Sequence, residues 1–314
     1  MKKMYSLVML SLAVLAYKNV KAQDPQFTQF YANPLYLNPA LAGNSICPRV
    51  CINYRNEWPG ISGTYVTTSA SFDRYVYGIK SGLGVIVTND KAGEGTITTT
   101  NISGIYSYQA KIGKDYAINF GLQATYGQKS VDWSKLTFGD MIDDQHGFVY
   151  NTNEIPGRSK RSFVDLSAGV VAFSKRFYGG FAAHHLNQPD EGLLSSSRLP
   201  VKLTGHAGAI FKISEDASIS PNILFQQQQN FQQLNLGLYV TKGALVGGLW
   251  YRNRDSFIVL LGVQQGIFKV GYSYDVTISK LTNITAGSHE ISLGLQFYCK
   301  KPKPKYRPGM CPSF

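Results

Sequence analysis

Charge is scarce in this chain. Asp, Glu, Lys and Arg together make up 16% of its 314 residues, against the quarter or so usual in soluble domains, which argues against an ordinary water-facing surface. Long apolar runs are missing as well. A spanning helix needs about 20 apolar residues, and no such run occurs, which excludes a helical membrane protein. Five His and four Cys are spread thinly. No Cys/His spacing matches a metal site and no Ser or Cys stands in a known nucleophile elbow, so no cofactor and no metal are expected and an enzyme is disfavoured. The acid–His candidates that remain are His146, after "DMIDDQ", and the pair His184-His185. No basic aromatic motif for nucleic acid occurs, and nucleic acid is excluded as a partner.

What is plentiful points elsewhere. Gly (31), Tyr (20) and Phe (17) are abundant, and abundant Gly and aromatics with little charge suit strands that show one face to lipid and the other to a polar lumen. The start of the chain supplies a route to such a membrane. "MKK" is a positive region, "MYSLVMLSLAVLA" an apolar run, and "VKA" before Gln23 a small-residue cleavage site. Residues 1–22 therefore read as a secretory signal peptide. Four Lys of the formal +12 lie in that leader, so the mature chain carries +8, a moderate excess suited to anionic lipid or acidic partners.

Periodicity sets the fold class. In "YAINFGLQATYG", Tyr116, Ile118, Phe120, Leu122, Ala124 and Tyr126 share one face, with Asn119, Gly121, Gln123 and Thr125 on the other. Period two returns in "LNLGLYV" and in "EISLGLQF", where Ile291, Leu293, Leu295 and Phe297 oppose Glu290, Ser292, Gly294 and Gln296. Marking such segments predicts about fourteen strands between residues 48 and 299, and bacterial outer-membrane barrels take an even number. Connection lengths agree with that reading. Every second connection is short, such as "GK" at 113–114 and "KG" at 242–243, while the long ones at 131–161, 186–201 and 275–287 all fall at the opposite, outer end. The expected fold is all-β: a transmembrane outer-membrane antiparallel barrel of about 14 strands over 48–299, with an N-terminal plug at 23–47 and a short periplasmic tail at 300–314.

The plug expectation rests on "QDPQFTQFYANPLYLNPALAGN". Asn33-Pro34 and Asn38-Pro39 are turn-forming steps, because the residue before Pro is pushed out of the helical region. Phe27, Phe30, Tyr31, Tyr36 and Leu37 need burial that so short a segment cannot supply alone; the barrel interior or its periplasmic mouth is the nearest apolar host. Phe27, Tyr31, Asn33, Pro34, Asn38, Pro39 and Ala40 are the expected plug motif. At the other end "CKKPKPKYRPGMCPSF" combines an extended, Pro-rich path with Lys300, Lys301, Lys303, Lys305 and Arg307, a segment able to dock on an acidic periplasmic partner. Barrel closure gathers Cys47, Cys51, Cys299 and Cys311 at one seam in an oxidising compartment, so at least one disulfide is expected there. Three connectivities are open, and the pleat disfavours Cys51–Cys299, since Cys51 points inward with Asn53 and Arg55 while Cys299 points outward with Phe297.

The opening block, "YRNEWPG" at 54–60, "YSYDVTISKL" at 272–281 and "GSHEISLGLQF" at 287–297 resemble the PorP/SprF family of Bacteroidetes outer-membrane proteins that serve the type IX secretion system. The resemblance runs from the first mature block to the last strand. It implies a barrel in the cell outer membrane that helps large cargo proteins reach or attach to the surface. Its implied partners are machine proteins, namely a periplasmic ring lipoprotein and a peptidoglycan-associated component, together with the cargo and outer-membrane lipid. The family holds a general machine component and cargo-dedicated members tied to gliding motility; modest length without long insertions leans towards the general, PorP-like role. Asn38-Pro39-Ala40 in an N-terminal plug also resembles the long-chain fatty-acid transporters, which leaves passive uptake of hydrophobic solutes as the alternative.

Overall fold

The computed structural model describes residues 24–299 apart from 46, 62, 113–114, 144, 154–156 and 279–285. The expected signal peptide and basic tail lie outside the described residues.

Fourteen antiparallel strands form the barrel: β1 (Arg49–Glu57), β2 (Tyr65–Val76), β3 (Ser81–Ala92), β4 (Ile97–Ile112), β5 (Tyr116–Val131), β6 (Lys160–Phe173), β7 (Phe177–His184), β8 (Lys202–Ala209), β9 (Ala217–Gln228), β10 (Phe231–Lys242), β11 (Leu245–Arg252), β12 (Ser256–Gln265), β13 (Phe268–Thr277) and β14 (Ser288–Gln296). Each pairs with the next, and the sheet closes where β1 meets β14, in a register running from Arg49 opposite Gln296 to Glu57 opposite Ser288. Closure leaves no unpaired edge to face hydrocarbon. The fold and the outer-membrane setting thus match what the alternation and the connection lengths predicted.

Two local departures have clear causes. The strand predicted over 202–213 is interrupted at Ile210 beside Pro221 of β9, which has no N–H to give the ladder, so that the Ala209 carbonyl accepts from Ser220 Oγ at 2.7 Å instead; Phe211 and Lys212 then rejoin the ladder against Ile219 and Ser218 in the same register. The last strand stops at Gln296 rather than 299: the Phe297 N–H still bonds the Pro48 carbonyl opposite it at 3.0 Å, but Pro48 has no N–H to return the bond and the ladder ends there.

The outward face is apolar. Leu122, Leu249 and Leu261 are each more than 60% exposed, beside Ile52, Val85, Phe120 and Ile291, an arrangement costly in water and neutral in hydrocarbon. The inward face is mixed. Polar side chains such as Asn53, Arg55, Ser107, Asn119, Asp165, Lys202, His206, Asn235, Arg252 and Glu290 line it all round, and on β6 to β12 they surround an apolar cluster of Val171, Phe173, Tyr178, Leu224, Tyr239, Trp250, Ile258 and Leu260.

The wall is also uneven in height. β4 and β5 run for 16 residues each while β7 and β8 run for eight, so the outer half of β6 rises past its neighbour. The connection 185–201 leans on that rise: the Asn187 side chain accepts from Leu166 N at 3.0 Å and donates to Val164 O at 2.7 Å, and Glu191 and Asp190 pair with Lys129 and Arg161. Backbone groups that lack a strand partner are thereby satisfied by a side chain.

Candidate functional site

Residues Asp24–Asn44 are almost wholly buried against the inward side chains of the barrel. Their local form follows from the two Asn-Pro steps. Pro34 opens a single helical turn, Pro34–Leu37, and Pro39 opens a 3₁₀ turn, Pro39–Leu41; Pro suits the first helical position, where its missing N–H is unpaired anyway. Asn38 caps the second turn by accepting from Ala40 N at 2.9 Å. Its amide nitrogen reaches the wall, donating to Val170 O and Phe181 O at 3.3 and 3.2 Å.

Close approach needs room on the strands, and glycine provides it. A Cβ on Gly121 would sit 2.2 Å from Ala40 N, and one on Gly82 2.0 Å from Ala42 O. With those positions clear, Ala40 O accepts from Ser107 Oγ and Asn119 Nδ2 at 3.2 and 3.3 Å. On the apolar side, Phe30 meets Trp250 edge to face at 5.0 Å between centroids, and Tyr31 meets Tyr178 at 5.8 Å and Tyr239 at 6.4 Å.

The polar anchor is Glu290. Its carboxylate accepts from Thr28 N at 2.6 Å, Thr28 Oγ1 at 2.8 Å and Gln29 N at 3.1 Å, and its backbone carbonyl accepts from Gln29 Nε2 at 3.0 Å. Arg55 stands beside it, 3.6 Å from the carboxylate, donating to Thr28 Oγ1 at 3.2 Å and pairing with Asp275 at 3.1 Å. Arg252 joins from the other side, 3.3 Å from Asp275. Charges this deeply buried are tolerated because each has an opposite charge and hydrogen bonds in place.

A second anchor holds the start of the segment at the outer end of the barrel. His185 bridges Asp24 and Asp165 at 2.8 and 2.9 Å, Lys202 lies 3.6 Å from Asp24, and Gln228 exchanges hydrogen bonds with Asp24. Burial works against the charged ring of His185, yet the Asp24 and Asp165 carboxylates outweigh it and raise its pKa to about 9. Burial likewise opposes ionisation of Asp24, but His185 and Lys202 pull its pKa well below the ordinary value. The segment therefore descends through the lumen from Asp24 at the outer rim to Gly43 beside the β2–β3 turn, where Gly43 N donates to Asp73 at 2.9 Å.

Of the residues singled out from sequence, Phe27, Tyr31, Asn33, Pro34, Asn38, Pro39 and Ala40 all lie in this buried segment. Cys47 and Cys299 are bonded across the seam, and Cys51 is a buried free thiol among the described residues. Cys311 and the basic cluster Lys300, Lys301, Lys303, Lys305 and Arg307 lie outside the described residues. His146 sits in the exposed outer loop, 2.8 Å from Asp143, and His185 serves as a bridge. Among the described residues no group of His, Cys, Asp and Glu could hold a metal. Sequence reasoning missed Asp24, Glu290 and His185 as anchors. The available signal was an acid placed on the polar face of an otherwise uncharged strand, Glu290 in "HEISLGL", opposite Arg55.

A family model described as "Type IX secretion system membrane protein PorP/SprF" matches residues 19–295. No curated protein matches the sequence. Among solved structures, the Ralstonia pickettii toluene transporter TbuX is similar with a TM-score of 0.50 at 10% identity, over 84% of this chain and 93% of that one. A Pseudomonas aeruginosa FadL homologue gives 0.44 at 11% over 83% and 93%, and the CymD monoaromatic hydrocarbon channel 0.45 at 10% over 85% and 93%. At such identity the likeness concerns the barrel alone.

Proposed function

The chain belongs to the PorP/SprF family of type IX secretion system membrane proteins, and from that premise we propose that it is a non-enzymatic, PorP-like outer-membrane component whose lumen is closed by its own N-terminus. It supports the export or surface attachment of large cargo while linking to periplasmic parts of the machine. The observation that carries this reading beyond the family is the anchored segment. Residues 24–44 act as a plug, tied to Glu290 on β14 and to His185 at the outer rim, and an apolar side filled by Phe30, Tyr31, Tyr178, Tyr239 and Trp250 favours a closed scaffold over a conduit for hydrophobic solutes. The five cations of residues 300–307 supply a contact for an acidic periplasmic partner, a ring lipoprotein or a peptidoglycan-associated protein. Uptake of hydrophobic solutes is the second reading.

Affinity purification from the native outer membrane tests the proposal, comparing the full chain with one ending at Lys300. Secretion-machine lipoproteins or a surface adhesin should accompany the full chain, and the periplasmic ones should disappear with the tail. A barrel recovered alone with bound lipid in both cases would transfer support to the transporter reading.

A further inference from the structure

The outward face of β3 to β6 changes character near its outer end, and the strand register sorts the change into rows. Val87, Ile102, Tyr126 and Val164 stand directly opposite one another on four successive strands, and all four are exposed. Two residues nearer the outer end of each strand comes a row of amides and hydroxyls, Asn89, Thr100, Gln128 and Ser162. Two further on, Thr98 and Ser130 are flanked by Lys91 and Lys160, and both lysines are exposed. The pleat keeps the three rows on one face, because every second residue of a strand points the same way.

The height of the apolar band places these rows. On β5 the outward side chains are apolar from Tyr116 to Tyr126, a run of about 33 Å along a strand and about 25 Å of height at the tilt usual in such barrels, which is the full apolar band. The amide row and the lysine row therefore stand above the hydrocarbon, at the level of the headgroups. Elsewhere the wall stops sooner. On β11 to β13 the paired Tyr251, Phe257 and Val276 are already the last outward residues at the outer end.

We propose that this ledge binds the phosphate groups of the phosphorylated glycolipid of the outer leaflet, with Lys91 and Lys160 as the cations and the row beneath them meeting the sugar hydroxyls. Charge supports that occupant. Lys129 and Arg161, each one residue from this row and turned inward, are neutralised by Glu191 and Asp190, whereas no described carboxylate pairs with Lys91 or Lys160. Of the acids close in sequence, Asp132 accepts from Ser134 N and Oγ at 3.1 and 2.6 Å, and Glu94 is exposed in the β3–β4 turn. The two lysines hang from strands three spacings apart, about 14 Å, so salt screens their mutual repulsion and each can take a phosphate of its own. Their flexible stems let the charged heads reach down to the lipid surface, where an anionic layer attracts each of them. A lipid held there ties one side of the barrel to the leaflet and leaves β11 to β13 against unbound chains. The site stands or falls independently of whether the barrel serves export or uptake.

Native mass spectrometry of the full-length protein, delipidated in detergent, tests the site by titration with bisphosphorylated lipid A, with the same lipid after removal of its phosphates, and with inorganic phosphate as competitor. The wild type should bind the phosphorylated lipid in preference to the dephosphorylated one, and inorganic phosphate should not displace it. The Lys91→Gln/Lys160→Gln double variant should bind the phosphorylated lipid about thirtyfold more weakly. Removing the same charge at the other rim, with Lys212→Gln/Lys242→Gln, should leave the affinity unchanged. Equal binding of the two lipids by the wild type, or equal affinity of the wild type and the outer-rim variant, overturns the proposal. An equal loss in the inner-rim variant overturns it too, since the attraction would then belong to net charge, and displacement by inorganic phosphate would show a free-phosphate site in place of a lipid one.

Discussion

The N-terminal segment over Asp24–Asn44 and the outer loop over 132–159 both lie outside the barrel strands and both close short turns of their own, such as Asn38 N to Pro34 O and Lys135 N to Asp132 O, but they differ in where the remaining partners come from. The segment takes the rest from the wall: Glu290 for Thr28 and Gln29, Ser107 and Asn119 for Ala40, Asp73 for Gly43. The loop draws chiefly on its own carboxylates. Asp143 accepts from Gln145 N, His146 N and Tyr150 OH, bonds that hold its pKa down at about 2, and Asp140 accepts from Thr152 and Asn153 N. Irregular backbone is therefore not one category. Inside a barrel it must be matched to particular wall residues, because no bulk water completes the set; above the membrane it needs only itself and solvent.

That contrast is broken most severely at Glu290. Glu290→Ala removes the acceptor of two backbone amides and leaves Arg55 short of a counter-charge, a change costing about 3–5 kcal/mol. It should lower the temperature at which the barrel loses its folded gel mobility and open the segment to chymotrypsin. A variant that melts with the wild type and keeps the segment protected would remove the claim that the wall holds it.

A milder effect comes from pH at the outer anchor. His185 binds its proton more tightly in the anchored state, near pH 9 rather than the ordinary 6.5, so its contribution is complete below about 6.5, fades as pH rises and is gone above about 9. Asp24 is held below its ordinary 3.8, so its contribution stands above that value and fades as pH falls. Proteolytic release of the segment should be slowest between 3.8 and 6.5 and quicken towards pH 9, and His185→Gln should flatten the alkaline limb. An unchanged limb in that variant would mean that other groups hold the outer end.

The smallest effect belongs to the loop. Phe148 is 58% exposed in the short ribbon formed by Gly147–Phe148 against Ile142–Asp143, and Phe148→Ser should alter thermal stability by no more than about 0.5 kcal/mol. A large loss there would show that the loop, too, is built into the barrel.

How much was legible follows from the range of each interaction. Strand number, strand facing and the sorting of long connections to one end all rest on neighbours two residues apart or on the spacing of turns. Leu122 outward and Asn119 inward could be read directly from "YAINFGLQ". The need of Phe27, Phe30 and Tyr31 for an apolar host was equally plain. Which wall would receive them was not. Thr28 meets Glu290 across 262 positions, and Asp24 meets His185 across 161, and no periodicity spans such distances. The interruption at Ile210 is an intermediate case: Pro221 was visible as a residue without an N–H, but its place opposite Ala209 follows only from the register of β8 and β9.

The sequence by itself determined the alternation, the even strand count, the turn-forming Asn-Pro steps and the meeting of Cys47 with Cys299 at the seam, because each depends on local stereochemistry or on the fact that a closed sheet must bring its two ends together. Only the tertiary structure decided that the N-terminal segment runs the height of the lumen from outer rim to inner mouth, and that Glu290 and His185 anchor it. Those choices depend on which inward side chains closure brings to the same level around the barrel, and that level is set by the register of all fourteen strands together.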